Sequence, residues 1–123
     1  MKTILVAEDN ESNFILMTYI LRRHYQYKRA RNGQEAIDMV EAGGIDIVLM
    51  DIKMPLMNGL EATKAIKEKH PELPIVALTA NAFDSDRKLA IEAGCDDFLP
   101  KPVNSEKCLQ TIERLIGGAG TES

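Results

Sequence analysis

Short apolar runs alternate with segments of helical periodicity along almost the whole chain. Five runs predict strands, at residues 4–7, 25–31, 45–50, 75–78 and 97–99. Five other segments repeat apolar side chains every three or four positions, which predicts helices at residues 11–24, 32–42, 60–69, 84–93 and 105–116. The third run is almost continuously apolar, which is typical of a strand that is covered on both faces.

The regular alternation of strands and helices predicts an α/β fold, in which a five-stranded parallel sheet carries five helices on its two faces. Right-handed crossovers leave few possible topologies. The flavodoxin-like strand order 2-1-3-4-5 fits best, because it places the polar second strand at an edge of the sheet. We predict a single domain over residues 1–117, followed by a flexible glycine-rich tail over residues 118–123.

Polar side chains follow four of the predicted strands. The carboxylates of Glu8 and Asp9 follow the first strand, and Asp51 follows the third. The hydroxyl of Thr79 follows the fourth strand, and the ammonium of Lys101 follows the fifth. Because ligands of such sheets bind at the carboxyl ends of the strands, we expect these side chains to form one site.

Composition narrows the range of functions. The chain has 123 residues, of which 45% are hydrophobic and 28% charged, as in ordinary soluble proteins. Its net charge of −4 argues against a nucleic-acid-binding surface. No apolar run is long enough for a membrane span or a signal peptide, so we expect a cytoplasmic protein without membrane association. Cys95 and Cys108 are too few for a disulfide framework or a zinc site, which predicts two free, partly buried thiols.

Three carboxylates close together repel one another, and a divalent cation would relieve that repulsion. Carboxylates, backbone carbonyls and water are the ligands that Mg²⁺ prefers. No thiolate or imidazole lies nearby in the sequence to indicate zinc, since His24 and His70 end helices at the opposite side of the predicted sheet. Glu8, Asp9 and Asp51 therefore predict a magnesium site.

An aspartate beside magnesium and a lysine can act as a nucleophile toward a phosphoryl group. Lys101 and Thr79 would help to neutralise the phosphoryl oxygens. The chain has no glycine-rich phosphate loop, so it shows no nucleotide site of its own. The phosphoryl donor must therefore be another molecule.

The segments around these side chains resemble the receiver domain of response regulators in two-component and phosphorelay signalling. The matching segments are Glu8-Asp9-Asn10, residues 50–59, Leu78-Thr79-Ala80 and Lys101-Pro102. Each is weakly specific alone, but together, in order and at the correct strand ends, they are highly specific and span nearly the whole chain. The sequences of residues 60–63 and 96–99 are most similar to those of receivers in hybrid kinases and phosphorelays.

The resemblance implies a role for each site residue. Asp51 would accept a phosphoryl group from a partner phosphohistidine. Magnesium would be held by Asp9, Asp51 and the backbone carbonyl of Lys53, with Glu8 acting largely through water.

The remaining matched residues are implied to form the switch. Lys101 would pair with the acceptor, and its peptide bond to Pro102 is expected to be cis. Thr79 would supply the switch hydroxyl, and Phe98 would change rotamer with it. Because Phe98 lacks the hydroxyl of the tyrosine that is common in the family, its switching would depend on ring packing.

The resemblance also implies partners. A histidine kinase or histidine phosphotransfer protein would donate the phosphoryl group and dock around the first helix. A downstream protein would bind the surface of the fourth helix, fifth strand and fifth helix. The chain would be a switch and not an enzyme, beyond self-phosphorylation and slow self-dephosphorylation. We expect a monomer that could dimerise on phosphorylation.

Two alternatives share parts of this pattern. A phosphohydrolase with an aspartyl-phosphate intermediate would share the nucleophile and the magnesium. It would, however, want a carboxylate at position 53, where this chain has Lys53, and it would usually need a cap domain. A binding module such as a flavin carrier could use the same fold, but three carboxylates would repel a flavin phosphate.

Basic residues are concentrated around the second predicted strand. An acidic partner could bind them, but we favour solvated side chains at a helix end and an edge strand. The five residues are Arg22, Arg23, Lys28, Arg29 and Arg31.

Overall fold

A computed structural model of the protein describes residues 2–54, 57–80 and 84–117, apart from the side chains of residues 84 and 85. The strands are β1 (Thr3–Ala7), β2 (Gln26–Ala30), β3 (Ile47–Asp51), β4 (Ile75–Thr79) and β5 (Asp97–Pro100). The helices are α1 (Glu11–Leu21), α2 (Gly33–Ala42), α3 (Gly59–Lys69), α4 (Asp84–Ala93) and α5 (Ser105–Ile116). The predicted tail, residues 118–123, lies outside the described residues, and the boundary at residue 117 stays a prediction.

The five strands form one parallel sheet in the order β2-β1-β3-β4-β5. The predicted strand order and the edge position of the polar strand β2 are therefore confirmed. All residues of β3 and β4 are buried, as their nearly continuous apolar sequences indicate. The last side chains of both central strands are therefore buried at the carboxyl ends of the strands.

Helices cover both faces of the sheet, and alternate side chains of each strand enter different cores. Ile4 and Val6 of β1 pack with Met17 and Leu21 of α1 and with Ile112 of α5. The intervening side chains of the same strand enter the second core, beside α2, α3 and α4. Its buried members from these elements include Leu5, Ala36, Ile66 and Ala90.

Asparagines begin four of the helices. Asn10, Asn32, Asn58 and Asn104 each accept a hydrogen bond from the backbone N–H three residues later, at the starts of α1, α2, α3 and α5. Asn58 also forms a reciprocal capping box with Glu61. Each of these caps fixes the residue at which its helix begins. The loop before each helix is therefore held by a strand at one end and by the capped helix at the other.

Most elements differ from the predicted bounds by one to three residues, and two of these differences affect the packing and the site. The first helix was expected to continue to His24, but α1 ends at Leu21, where a turn lets the Tyr25 ring become 98% buried. The third strand was expected to end at Met50, but Asp51 still pairs with Leu78 of β4. None of the described helices has both the length and the apolar character that a membrane crossing needs.

Candidate functional site

The polar side chains predicted to form one site do lie together at the carboxyl ends of the central strands. Asp51 is the last residue of β3 and Thr79 the last of β4, and both are buried. Glu8 follows β1 and is only 1% exposed, whereas Asp9 beside it is exposed. Lys101 follows β5 and is half-buried. Four strands therefore contribute to a single polar site.

Three carboxylates and one ammonium form the centre of this site. One oxygen from each of Glu8, Asp9 and Asp51 lies within 4.8 Å of the others, and we call these residues the acidic cluster. Lys101 Nζ lies 3.0 Å from Asp51 Oδ2 and 3.2 Å from Glu8 Oε1. Among the described residues, one ammonium thus contacts two of the three carboxylates, which leaves negative charge in excess.

Burial and crowding change the protonation of this site. The pKa of Glu8 is raised, first by burial and then by the hydrogen bond and the charge of Asp51, while Lys101 and the Asn10 backbone N–H offset only part of the change. Burial alone would lower the pKa of Lys101, but its hydrogen bond to Asp51 and the charges of Asp51 and Glu8 raise it overall. Lys101 therefore stays charged, and the site favours further positive charge.

The Thr79 hydroxyl is buried without a hydrogen-bond partner among the described residues. Leaving a buried hydroxyl unpaired costs about 1–3 kcal/mol. Thr79 lies one residue beyond Leu78, which pairs with Asp51 in the sheet. An unpaired donor this close to the acidic cluster is suited to a negatively charged group that binds there.

The loop after β3 holds the Asp51 carboxylate by its backbone. The Lys53 N–H donates to Asp51 Oδ1 over 3.1 Å, while the Lys53 side chain is exposed. Gly59, at the start of α3, donates to the Ile52 carbonyl. A Cβ at Gly59 would lie 2.2 Å from the Asp51 carbonyl oxygen, so no other residue fits without moving the loop.

Phe98 and Lys101 connect this site to the last strand. Phe98 lies opposite Ala77 in the sheet and is half-buried, with the Arg87 guanidinium 5.2 Å from its ring centre. The Lys101 N–H donates to the Thr79 carbonyl over 2.7 Å, and the Lys101–Pro102 peptide bond is cis, as predicted.

Arg29 was predicted to be a solvated residue of the basic cluster, and this prediction is wrong. Its side chain is only 11% exposed and contacts the loop that carries Glu8 and Asp9. In the parallel register Arg29 lies beside Val6, near the end of β1. Once strands β1 and β2 are paired, this position brings a long basic side chain within reach of that loop.

Cys95 and Cys108 are free thiols, as predicted, and both are buried more fully than expected. Burial raises the pKa of Cys95 to about 11 and that of Cys108 to about 12. His70 ends α3 and lies 3.2 Å from Glu41, away from the acidic cluster. These groups take no part in the site.

Comparison with known proteins identifies relatives of the whole chain. The family model for the response regulator receiver domain matches residues 4–113. The polar-differentiation response regulator DivK of Brucella anthropi is 34% identical over 121 residues, which cover 96% of this chain and 98% of that protein.

Solved structures show the same fold. The receiver domain of the sensor histidine kinase PA1611 from Pseudomonas aeruginosa, with magnesium coordinated in its active site cleft, is 33% identical with a TM-score of 0.89. That match covers 95% of this chain and 98% of the other. The Ssk1 receiver domain of Saccharomyces cerevisiae, crystallised with the histidine phosphotransfer protein Ypd1, is 33% identical with a TM-score of 0.85, over 94% and 88% of the two chains.

Proposed function

The chain belongs to the response regulator receiver domain family, and we propose that Asp51 is its phosphoacceptor. One observation carries this proposal. Asp51 is the buried carboxylate at the end of the central strand, and it lies 3.0 Å from Lys101 and beside two further carboxylates. Glu8 shares these neighbours but follows β1, whereas Asp51 is the last residue of the central strand and its Oδ1 accepts a hydrogen bond from the Lys53 N–H.

An oxygen of the Asp51 carboxylate would attack the phosphorus of a partner's phosphohistidine. The new O–P bond forms as the N–P bond breaks, and the histidine ring leaves as neutral imidazole after taking up a proton. Lys101 contributes a fixed positive charge for the phosphoryl oxygens, since its pKa is raised. The Lys53 N–H orients the carboxylate before the reaction.

The acidic cluster fits magnesium, because it offers only hard oxygen ligands and carries excess negative charge. Glu8, Asp9 and Asp51 would hold the ion, with the backbone carbonyl of Lys53 as a further ligand. When bound, magnesium neutralises charge on the carboxylates and on the phosphoryl oxygens.

Phosphorylation would change the surface through Thr79 and Phe98. A phosphoryl group on Asp51 offers oxygens to the Thr79 hydroxyl, which has no partner among the described residues. Thr79 would move toward these oxygens, and the Phe98 ring would move into the space that Thr79 leaves. The output surface, formed by α4, β5 and α5, exposes Ile91 of α4. We propose that a downstream protein binds this surface and that the chain acts as a switch without turnover of its own. The oligomeric state and the cytoplasmic location remain predictions.

The histidine-bearing partner would dock on α1. Three large apolar side chains of this helix are exposed: Ile15 at 45%, Leu16 at 37% and Tyr19 at 60%. The helix starts beside the acidic cluster, so a partner bound there could reach Asp51. The complex of the similar Ssk1 receiver with Ypd1 supports a phosphotransfer protein or a kinase as this partner.

Labelling with acetyl phosphate and Mg²⁺ tests the acceptor. Intact mass spectrometry should show the addition of one phosphoryl group, which disappears in Asp51→Asn and when EDTA replaces Mg²⁺. Asp46→Asn is the matched control, because Asp46 precedes β3 at its other end and bonds the Thr3 N–H. Labelling that survives Asp51→Asn, or sustained hydrolysis of phosphate monoesters as in a phosphohydrolase, would contradict the proposal.

Phosphotransfer kinetics test the docking surface. Phosphorylated histidine phosphotransfer proteins and kinases of the same organism should label the wild-type chain, and Ile15→Glu should slow this transfer about tenfold. Acetyl phosphate labelling should be unchanged in the same variant. Ile91→Glu is the control, since Ile91 is similarly exposed but lies on α4. Equal transfer rates for Ile15→Glu and wild type would exclude docking through this part of α1.

A further inference from the structure

Arg29 lies where a side chain can control the geometry of the acidic cluster from outside it. Most of β2 faces solvent, and its residues Gln26, Tyr27 and Lys28 are exposed. Arg29 departs from that pattern, because its side chain is 11% exposed and turned toward the loop after β1. The backbone supports this approach, since the Glu8 N–H donates to the Ala30 carbonyl over 2.9 Å.

The guanidinium of Arg29 uses three nitrogens on the segment that carries the acidic cluster. Nε donates to the Glu8 carbonyl over 3.1 Å, and Nη2 donates to the Asp9 carbonyl over 3.4 Å. Nη1 pairs with Glu11 Oε1 at 2.8 Å, and the guanidinium carbon lies 4.5 Å from the centre of the Phe14 ring. The planar fork is therefore fixed by hydrogen bonds at its edge and by a ring against its face.

We propose that Arg29 is a positioning residue that holds the backbone of Glu8 and Asp9 in the arrangement that binds a divalent cation. Mutual repulsion tends to spread the carboxylates of the acidic cluster, whose oxygens lie within 4.8 Å of one another. Arg29 opposes that spreading through the two backbone carbonyls. Its hydrogen bonds to Glu8 and Asp9 go to their backbone carbonyls, so Arg29 does not occupy the carboxylate oxygens of either residue.

Geometry and charge predict opposite effects of removing Arg29. If its charge alone mattered, loss of a cation near the acidic cluster would strengthen binding of Mg²⁺. If its hydrogen bonds matter, loss of the fork would weaken binding, as it does when residues that orient metal ligands are replaced. Arg29→Lys separates the two effects, because it keeps the charge but lacks the planar fork that bonds the two carbonyls with its edge and lies against the Phe14 ring with its face.

This inference rests on the proposed function only for the binding of a divalent cation. Calorimetric titration of the metal-free protein with Mg²⁺, and electron paramagnetic resonance of bound Mn²⁺, measure that binding without any phosphoryl transfer. Arg29→Lys and Arg29→Gln should each raise the dissociation constant about tenfold. Arg29→Gln should also change the Mn²⁺ spectrum, which a uniform loss of stability would leave unaltered.

Two controls isolate the contacts. Lys28→Gln removes an exposed charge from the neighbouring position and should change the dissociation constant by less than about twofold. Glu11→Gln removes the ion pair but keeps both carbonyl bonds, and it should have a similarly small effect. If Arg29→Gln fails to fold, Arg29→Lys and Phe14→Leu, which removes the stacking ring, carry the test.

Equal affinity of wild type and Arg29→Lys, or tighter binding by Arg29→Gln, would overturn the proposal for Arg29 alone. If the wild-type protein bound neither Mg²⁺ nor Mn²⁺, the proposed cation site itself would be wrong. The two failures are therefore distinguishable in one titration series.

Discussion

Two lysine–carboxylate clusters lie at opposite ends of the strands, and they differ in how completely their groups are paired. At the amino ends of β4 and β5, Lys67 Nζ donates to the Pro71 and Leu73 carbonyls and to Asp96 Oδ2. Asp96 Oδ2 also accepts from the Ile75 N–H. All three donors of this ammonium are used.

At the carboxyl ends, Lys101 faces the acidic cluster, whose three carboxylates outnumber it. The nearby Thr79 hydroxyl has no partner in the described part of the chain. The Lys67 cluster joins α3 to the starts of β4 and β5 and is complete without a ligand. We propose that the Lys101 site becomes complete when a cation and a phosphoryl group bind. The comparison therefore favours the incompletely paired cluster as the functional site, although both clusters contain a lysine and an aspartate at short distance.

The largest expected effect on stability comes from Lys67→Met. This change leaves two carbonyls and a carboxylate without their donor, so we expect a loss of about 2–3 kcal/mol of unfolding free energy. Labelling of Asp51 by acetyl phosphate at a temperature well below unfolding should persist. Urea unfolding and intact mass spectrometry measure the two quantities. Retained stability would show that the Lys67 cluster does not tie these elements together.

Two matched aspartate substitutions should change the free energy of unfolding in opposite directions. Asp96→Asn removes a charge that is paired with Lys67 and should cost about 1–2 kcal/mol. Asp51→Asn removes one of three crowded carboxylates, and we expect it to stabilise the metal-free protein by about 1 kcal/mol. Thermal unfolding in EDTA compares the two variants. A shift of the same sign in both would remove the distinction between the clusters.

Two buried threonines sharpen the comparison further. Thr79→Val replaces a hydroxyl for which the described part of the chain offers no partner, and the protein should become more stable by up to about 1 kcal/mol. Thr63 lies 3.8 Å from Cys95 Sγ, so Thr63→Val removes a weak contact and should be neutral or slightly destabilising. Urea unfolding of both variants in EDTA checks the order. Destabilisation by Thr79→Val would mean that its hydroxyl already has a partner.

The smallest expected effect is a loss of stability at high pH. Burial raises the pKa of Cys95 to about 11 and that of Cys108 to about 12. Both folded-state pKa values lie above the pKa of the thiol in the unfolded chain. The free energy of unfolding is therefore at its full value below the unfolded pKa, and it falls as the pH rises toward the folded pKa because the unfolded thiols lose their protons first. At pH 9 we expect a loss of roughly half a kcal/mol per thiol.

Urea unfolding at pH 7 and pH 9 measures this loss, and the Cys95→Ala/Cys108→Ala double variant is its control. Cys95 is close to the Lys67 cluster, and the charge of Asp96 also raises its pKa. An equal fall in stability in the double variant would assign the pH dependence to other groups.

Much of the fold could be predicted because its determinants are local. The apolar run of β3 and the polar sequence of β2 indicated a central and an edge strand, and both positions are confirmed. The residues of the candidate site could be predicted because each of them follows a predicted strand. The predicted end of α1 was wrong, because the chain turns there to bury Tyr25, and this packing cannot be inferred from helical periodicity.

The sequence by itself determined the order of the elements, the topology and the set of polar residues at the carboxyl ends. Periodicity and strand ends are properties of neighbouring residues, so they are visible without a structure. Only the tertiary structure decided which groups are paired, as the contacts of Arg29 with Glu8 and of Lys67 with Asp96 show. These long side chains join segments that are 21 and 29 residues apart, and their reach depends on how strands and helices pack.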